Sequence, residues 1–187
     1  MPDTSRFLTA LGRAIRSLST ASGRRAPAPA PVTTDAAARP RTEPAEDWPG
    51  REGPAATVEL DPARVRRVRF GYTPERDGEP DPGEVVWTWV PYEERDGRGK
   101  DRPVVIVAAG AAGEFLAVQL TSKPQDGDRD AVALGSGAWD GEGRPSWARI
   151  DRVFRVHADG MRREAASLDA VRYGRVVDAL AERYGWG

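Results

Sequence analysis

Arg102-Pro103 opens one apolar run of this chain, and Thr121-Ser122-Lys123 closes the next. If the two runs are neighbouring strands of a small sheet, their ends bring a permanent cation, a hydroxyl and a second cation to one rim, where a phosphodiester could sit. The guanidinium of Arg102 stays protonated and offers a fork to two phosphate oxygens, whereas Lys100 and Lys123 act as point charges. Thr121 can hydrogen-bond a phosphate oxygen or an attacking hydroxyl, but unassisted it is a weak base. The set handles phosphate by positioning and electrostatics, without histidine, cysteine, metal or cofactor.

Two short strands, Val104 to Ala108 and Phe115 to Thr121, must hold that rim, with Gly110 to Gly113 turning between them. Ahead of them, VVWTWV (Val85 to Val90) puts Trp87 and Trp89 on one face and Val86, Thr88 and Val90 on the other, as a strand buried on both sides does. The two tryptophans read as core rather than as platforms for stacking a base. Pro91 to Asp101 is a long hairpin loop. After a polar loop from Lys123 to Asp130 come a short strand, Ala131 to Leu134, a turn, Gly141 to Pro145, and a longer strand, Trp147 to Val156. Gly135, Gly137 and Gly141 imply the bends of a small closed barrel. From Leu168 to Tyr184, Tyr173, Val177, Leu180 and Tyr184 form an apolar helical stripe, with Ser167 as a cap and Gly185 as a stop. The pattern predicts a mainly β fold, a small antiparallel barrel with one C-terminal helix on its side.

Upstream, Val65 to Tyr72 alternates as a half-buried strand, with Val68, Phe70 and Tyr72 on one face, and leads into a turn-rich loop. The organisation expected is an amphipathic helix over 1–22, a Pro/Ala-rich linker over 23–56, an extra strand and loop over 57–81, and the barrel domain over 82–187. In the first helix Phe7, Leu8, Leu11, Ile15 and Leu18 share a face, and Arg24 and Arg25 extend its basic character, so contact with a membrane surface or a partner stands beside plain docking. In the linker, proline alternates with small and charged residues and cannot bury enough apolar surface to offset ordering; Trp48 is the residue there that could dock.

A hydrophobic content of 39% in 187 residues suits one globular domain, and a net charge of −1 supplies no global pull on nucleic acid, so polyanion binding must come from local clustering. With no cysteine, disulfides and thiolate chemistry drop out. Glycines break the longest apolar stretch, and Arg13 and Arg16 interrupt residues 1–22, so neither a membrane span nor a signal peptide is expected and the chain is assigned to the cytoplasm.

Other constellations fail on spacing. Asp126, Asp128 and Asp130 start like a calcium loop, but Gly137 stands where a bidentate glutamate is required. Around Gly99-Lys100 a phosphate loop would need glycine at Glu94 and a hydroxyl at Asp101. His157 has no serine or cysteine motif near it, and adjacent Glu93 and Glu94 would point to opposite faces of a strand.

Four pieces in order then resemble the PemK/MazF toxin family across residues 82 to 184: PGEVVWTWVPYEE (Pro82 to Glu94), GRGKDRPVVIV (Gly97 to Val107), QLTSK (Gln119 to Lys123) and SWARIDRVFRV (Ser146 to Val156). The resemblance implies an SH3-like barrel, usually a homodimer, that cleaves single-stranded RNA without metal and is silenced by an antitoxin protein. By position, Arg102 and Thr121 match the family's catalytic arginine and threonine, and Ser122 and Lys123 would flank the scissile phosphate. In such cleavage the ribose 2′-hydroxyl attacks its neighbouring phosphate, leaving a 2′,3′-cyclic phosphate and a 5′-hydroxyl. Read this way, the loop Glu93 to Arg102 grips RNA, with Lys100 a substrate contact. The last strand departs from the family, with Asp151-Arg152-Val153-Phe154 in place of an acidic-Gln-Ile-Arg run. Arg149 and Asp151 share a face there and could meet phosphate or base, or each other.

The reading that leads is a toxin-type endoribonuclease. Its rival is a non-catalytic barrel that grips a protein or nucleic-acid partner, since fold alone does not carry function. A further expectation concerns the extension, which could tether the domain to a membrane surface or hold a groove shut.

Overall fold

Val104, Val105, Ile106 and Val107 follow one another with no polar residue between them, and the fold buries both faces of the strand they form. In the computed structural model, which describes residues 48–75 and 77–187, seven antiparallel strands precede one helix. They are β1 (Val58–Leu60), β2 (Glu84–Pro91), β3 (Gly99–Ala109), β4 (Glu114–Thr121), β5 (Ala131–Gly135), β6 (Ser146–His157) and β7 (Arg162–Ser167), followed by α1 (Ala170–Tyr184). The strand order is β1-β6-β4-β3-β2-β7, with β5 also paired to β6.

Period-two alternation sorts the buried residues into two clusters. Val86, Val90, Val104, Ile106, Ala117, Phe154 and Val156 come from strands alone and fill the inside of the curved sheet. Val105, Val107, Val118, Leu120 and Val153 face outward, where Tyr173, Val176 and Leu180 of α1 cover them. The Tyr173 hydroxyl lies 2.8 Å from both Val107 O and Gly71 O and shares its one proton between these acceptors, and that of Tyr184 donates to Ile150 O at 2.7 Å. Bulges at Val85/Val86, Ile106/Ala108 and Val118/Leu120 supply the curvature.

A strap from Trp48 to Leu60 spans the gap between the sheet's two sides. Pro49 O accepts from Trp89 N at 3.0 Å on β2, while β1 pairs with Val153–Arg155 of β6. Between these points the Thr57 and Thr88 hydroxyls lie 2.6 Å apart, both buried, and Thr88 Oγ1 donates to Gly160 O at 2.6 Å. Gly50 lies in this lock with φ +78°, and a Cβ there would fall 2.6 Å from Gly160 O and 2.7 Å from Thr57 Oγ1, so only glycine fits.

Several expectations need correction. Val65 to Tyr72 is not a strand: Val68 is buried as its alternation suggests, but Arg67 takes φ +58° and no neighbour completes a ladder. Residues 48–56, given to the linker on composition, instead form hydrogen-bonded turns against β2. The helix expected over 1–22 and the linker up to residue 47 lie outside the described residues. The ladder runs to Pro91 and restarts at Gly99, so the hairpin loop shortens to 92–98. The helix cap is Asp169, whose carboxylate accepts from Arg172 N at 2.8 Å, rather than Ser167.

Candidate nucleic-acid interface

The β3–β4 ladder ends at Val104 opposite Gln119, and the same register carried two residues further sets Arg102 opposite Thr121. Both are half-buried, Arg102 two residues before the buried stretch of β3 that starts at Val104 and Thr121 as the last residue of β4, directly after buried Leu120. Two cavities, of about 510 and 340 Å³, meet at this point, and Arg102, Thr121 and Lys123 line both. Lys100 and Ser122 line the larger one, and Arg149 the smaller. The Thr121 hydroxyl accepts from Lys123 N at 3.2 Å, which folds the Thr-Ser-Lys segment back and fixes the oxygen at the rim.

Charge pairing separates these cations into two kinds. Arg149 donates from Nε to Asp151 Oδ1 at 2.8 Å, makes a second bond to the other oxygen, and has Glu93 within 3.9 Å. The hydrogen bond to Asp151 raises the Arg149 pKa above its ordinary value against the opposing effect of burial. Arg149 and Asp151 thus meet each other, and Asp151 does not line either cavity. In the larger cavity Asp101 is held by Arg162 at 3.1 Å and Asp140 by Arg144 at 3.1 Å. Among the described residues Arg102, Lys100 and Lys123 have no carboxylate within ion-pair distance, so the unmatched positive charge of the rim gathers at the meeting of the cavities. An anion arriving there gains a fork, an ammonium and a hydroxyl with no ion pair to break first.

Some participants escaped the sequence reading. Trp87 is half-buried rather than core: it lines the larger cavity, with Arg162 5.5 Å from its ring centroid. The Trp face of β2 stays partly open because Asp101 and Arg162 lie beside it, whereas the Val86/Thr88/Val90 face is sealed. Arg152 lines the smaller cavity and bonds Glu59 of the strap at 2.7 Å. No local signal marks that contact, since the two residues lie far apart in sequence. Asp128 and Asp130 are spent on a turn and on Arg183, and no three metal-ligating side chains converge among the described residues. Among them, too, no helix is long and apolar enough to cross a membrane.

Residues 81–183 match the family described as PemK-like, MazF-like toxin of type II toxin-antitoxin system. A search of curated proteins finds no match. Similar solved structures include MazE-MazF (Form-II) from Deinococcus radiodurans, at 18% identity and TM-score 0.44, covering 58% of this chain and 97% of that one. Mycobacterium tuberculosis toxin MazF-mt6 is 14% identical with TM-score 0.42, covering 56% and 98%. An endoribonuclease from a mycobacterial species is 18% identical with TM-score 0.43, covering 60% and 97%.

Proposed function

The chain belongs to the PemK-like, MazF-like toxins of type II toxin-antitoxin systems, and on that premise we propose that it is an endoribonuclease that cuts single-stranded RNA by attack of the ribose 2′-hydroxyl on the adjacent phosphate. The observation that supports this most is that Arg102, which meets no carboxylate among the described residues, and Thr121 both line the two cavities where they join.

The 2′-hydroxyl gives its proton to water as its oxygen bonds to phosphorus, and the bond to the 5′-oxygen breaks as that oxygen takes a proton from water, giving a cyclic phosphate and a 5′-hydroxyl. Arg102 holds two non-bridging oxygens and stabilises the charge that grows on the phosphorane. Thr121, fixed by Lys123 N, orients the attacking hydroxyl or a phosphate oxygen, and Lys123 adds a point charge. Lys100 and Ser122 contact the strand on the larger-cavity side, and Arg149, with Asp151 holding it in place, on the smaller. The nucleophile belongs to the substrate and the stabilising charges to the protein, so the step needs no metal. Family membership also supports an antitoxin protein as partner and a homodimer as the working form.

End-group analysis of mixed RNA incubated with the full chain and a chelator tests the proposal. Products bearing 2′,3′-cyclic phosphate and 5′-hydroxyl ends, absent with Arg102→Ala, are expected. RNA left whole, with tight capture of one protein or RNA partner instead, would favour a binding module.

A further inference from the structure

Glu59 lies upstream of the family match and yet reaches the site. Its Oε2 accepts from Arg152 Nη2 at 2.7 Å, and the same nitrogen donates at 2.8 Å to the carbonyl of Pro91, the last residue of β2. Its other carboxylate oxygen stands 3.5 Å from Arg95 in the 92–98 loop. Burial raises the Glu59 pKa and the bond and charge of Arg152 lower it, with a net shift below the usual carboxylate value, so Glu59 is anionic at neutral pH. The Arg152 side chain is only 10% exposed, yet it lines the smaller cavity beside Thr121 and Lys123, and its Nε has no partner among the described residues.

We propose that Glu59 is a positioning residue that masks Arg152, so that an RNA phosphate settles on Arg102 and Thr121 rather than on a second guanidinium in the same groove. This rests on the nuclease reading of the site. Three guanidiniums line the smaller cavity: Arg149 is matched to Asp151, Arg152 to Glu59, and Arg102 to no carboxylate among the described residues. An unmasked Arg152 would offer phosphate the same fork as Arg102. A strand facing two equivalent anion sites occupies two registers, and only one of them puts a 2′-hydroxyl in line at Thr121. The strap thereby contributes to the site the carboxylate that pairs Arg152, while Glu93 and Glu94 of the family-matching region line the same cavity without pairing it.

Glu59→Gln in the full chain keeps shape and acceptor oxygen while removing the charge. The binding probe is a single-stranded RNA oligonucleotide with 2′-O-methyl riboses, which cannot be cut, titrated by fluorescence anisotropy over a salt series. The variant is expected to bind about fivefold tighter near ~0.1 M salt, with a log Kd against log salt slope steeper by about 0.7, the signature of one added phosphate contact. On a cleavable oligonucleotide kcat and KM should both fall, because the extra register is unproductive. Glu59→Gln combined with Arg152→Gln should restore the wild-type salt slope. A merely structural role would instead lower Tm and weaken binding. Unchanged or looser binding by Glu59→Gln, in a protein whose wild type cuts RNA through Arg102, would overturn the masking and leave the nuclease standing. A wild type that neither binds nor cuts RNA would overturn both.

Discussion

Replacing Arg102 with alanine separates chemistry from folding more cleanly than any other change at the site. Among the described residues the side chain makes no hydrogen bond or ion pair, so its loss leaves no buried partner stranded, and stability should move by no more than about 0.5 kcal/mol. In the proposed mechanism its guanidinium, which meets no carboxylate among the described residues, acts on the phosphorane. Removing one preorganised donor of that kind costs about 10²–10³ in kcat, or roughly 3–4 kcal/mol. Arg102→Lys keeps the charge without the fork and should lose only about tenfold. The assay is cleavage of a quenched fluorescent RNA oligonucleotide in chelator, with cyclic phosphate confirmed by mass spectrometry and Tm recorded beside it. A folded Arg102→Ala protein within about threefold of wild-type kcat would refute the assignment, since three- to fourfold is under 1 kcal/mol.

Three further expectations concern the frame. Thr88→Val strands the Thr57 hydroxyl and Gly160 O in a buried lock and should cost about 1–3 kcal/mol in urea unfolding. Gly50→Ala combines a positive φ with a Cβ in contact with Gly160 O and should cost at least about 2 kcal/mol, read as a drop in Tm. Burial pushes the Tyr173 phenol up to about 12 from 10.0, so the folded chain holds that proton where the unfolded chain has lost it. Stability should therefore fall as pH rises from about 10 towards 12, a fall that Tyr173→Phe should reduce in alkaline denaturation.

The strands that carry the rim were legible because each holds a dense apolar run between turn formers; β4 begins one residue before its sequence-based bound and ends on it, and β6 runs one residue further at each end. β7 gave no such signal: RREAAS buries only Ala166, and it is a strand because β2 offers it a ladder. The opposite error arose at Val65 to Tyr72, where alternation was present and a pairing edge was not. At the site, Arg102 and Thr121 could be picked out because both stand at the ends of apolar runs and fit a family pattern. The roles of Glu59, Arg152 and Trp87 depend on which side chains the barrel brings beside them, which no local window contains.

The strap also sets an order of events during synthesis. The β3–β4 hairpin joins residues close in sequence and can form soon after both strands leave the ribosome, whereas β1 must wait for Val153–Arg155 of β6, nearly a hundred residues later. A growing chain therefore displays the Arg102 and Thr121 rim before the strap can pair, and β1, the first strand translated among the described residues, completes its ladder only once β6 has emerged.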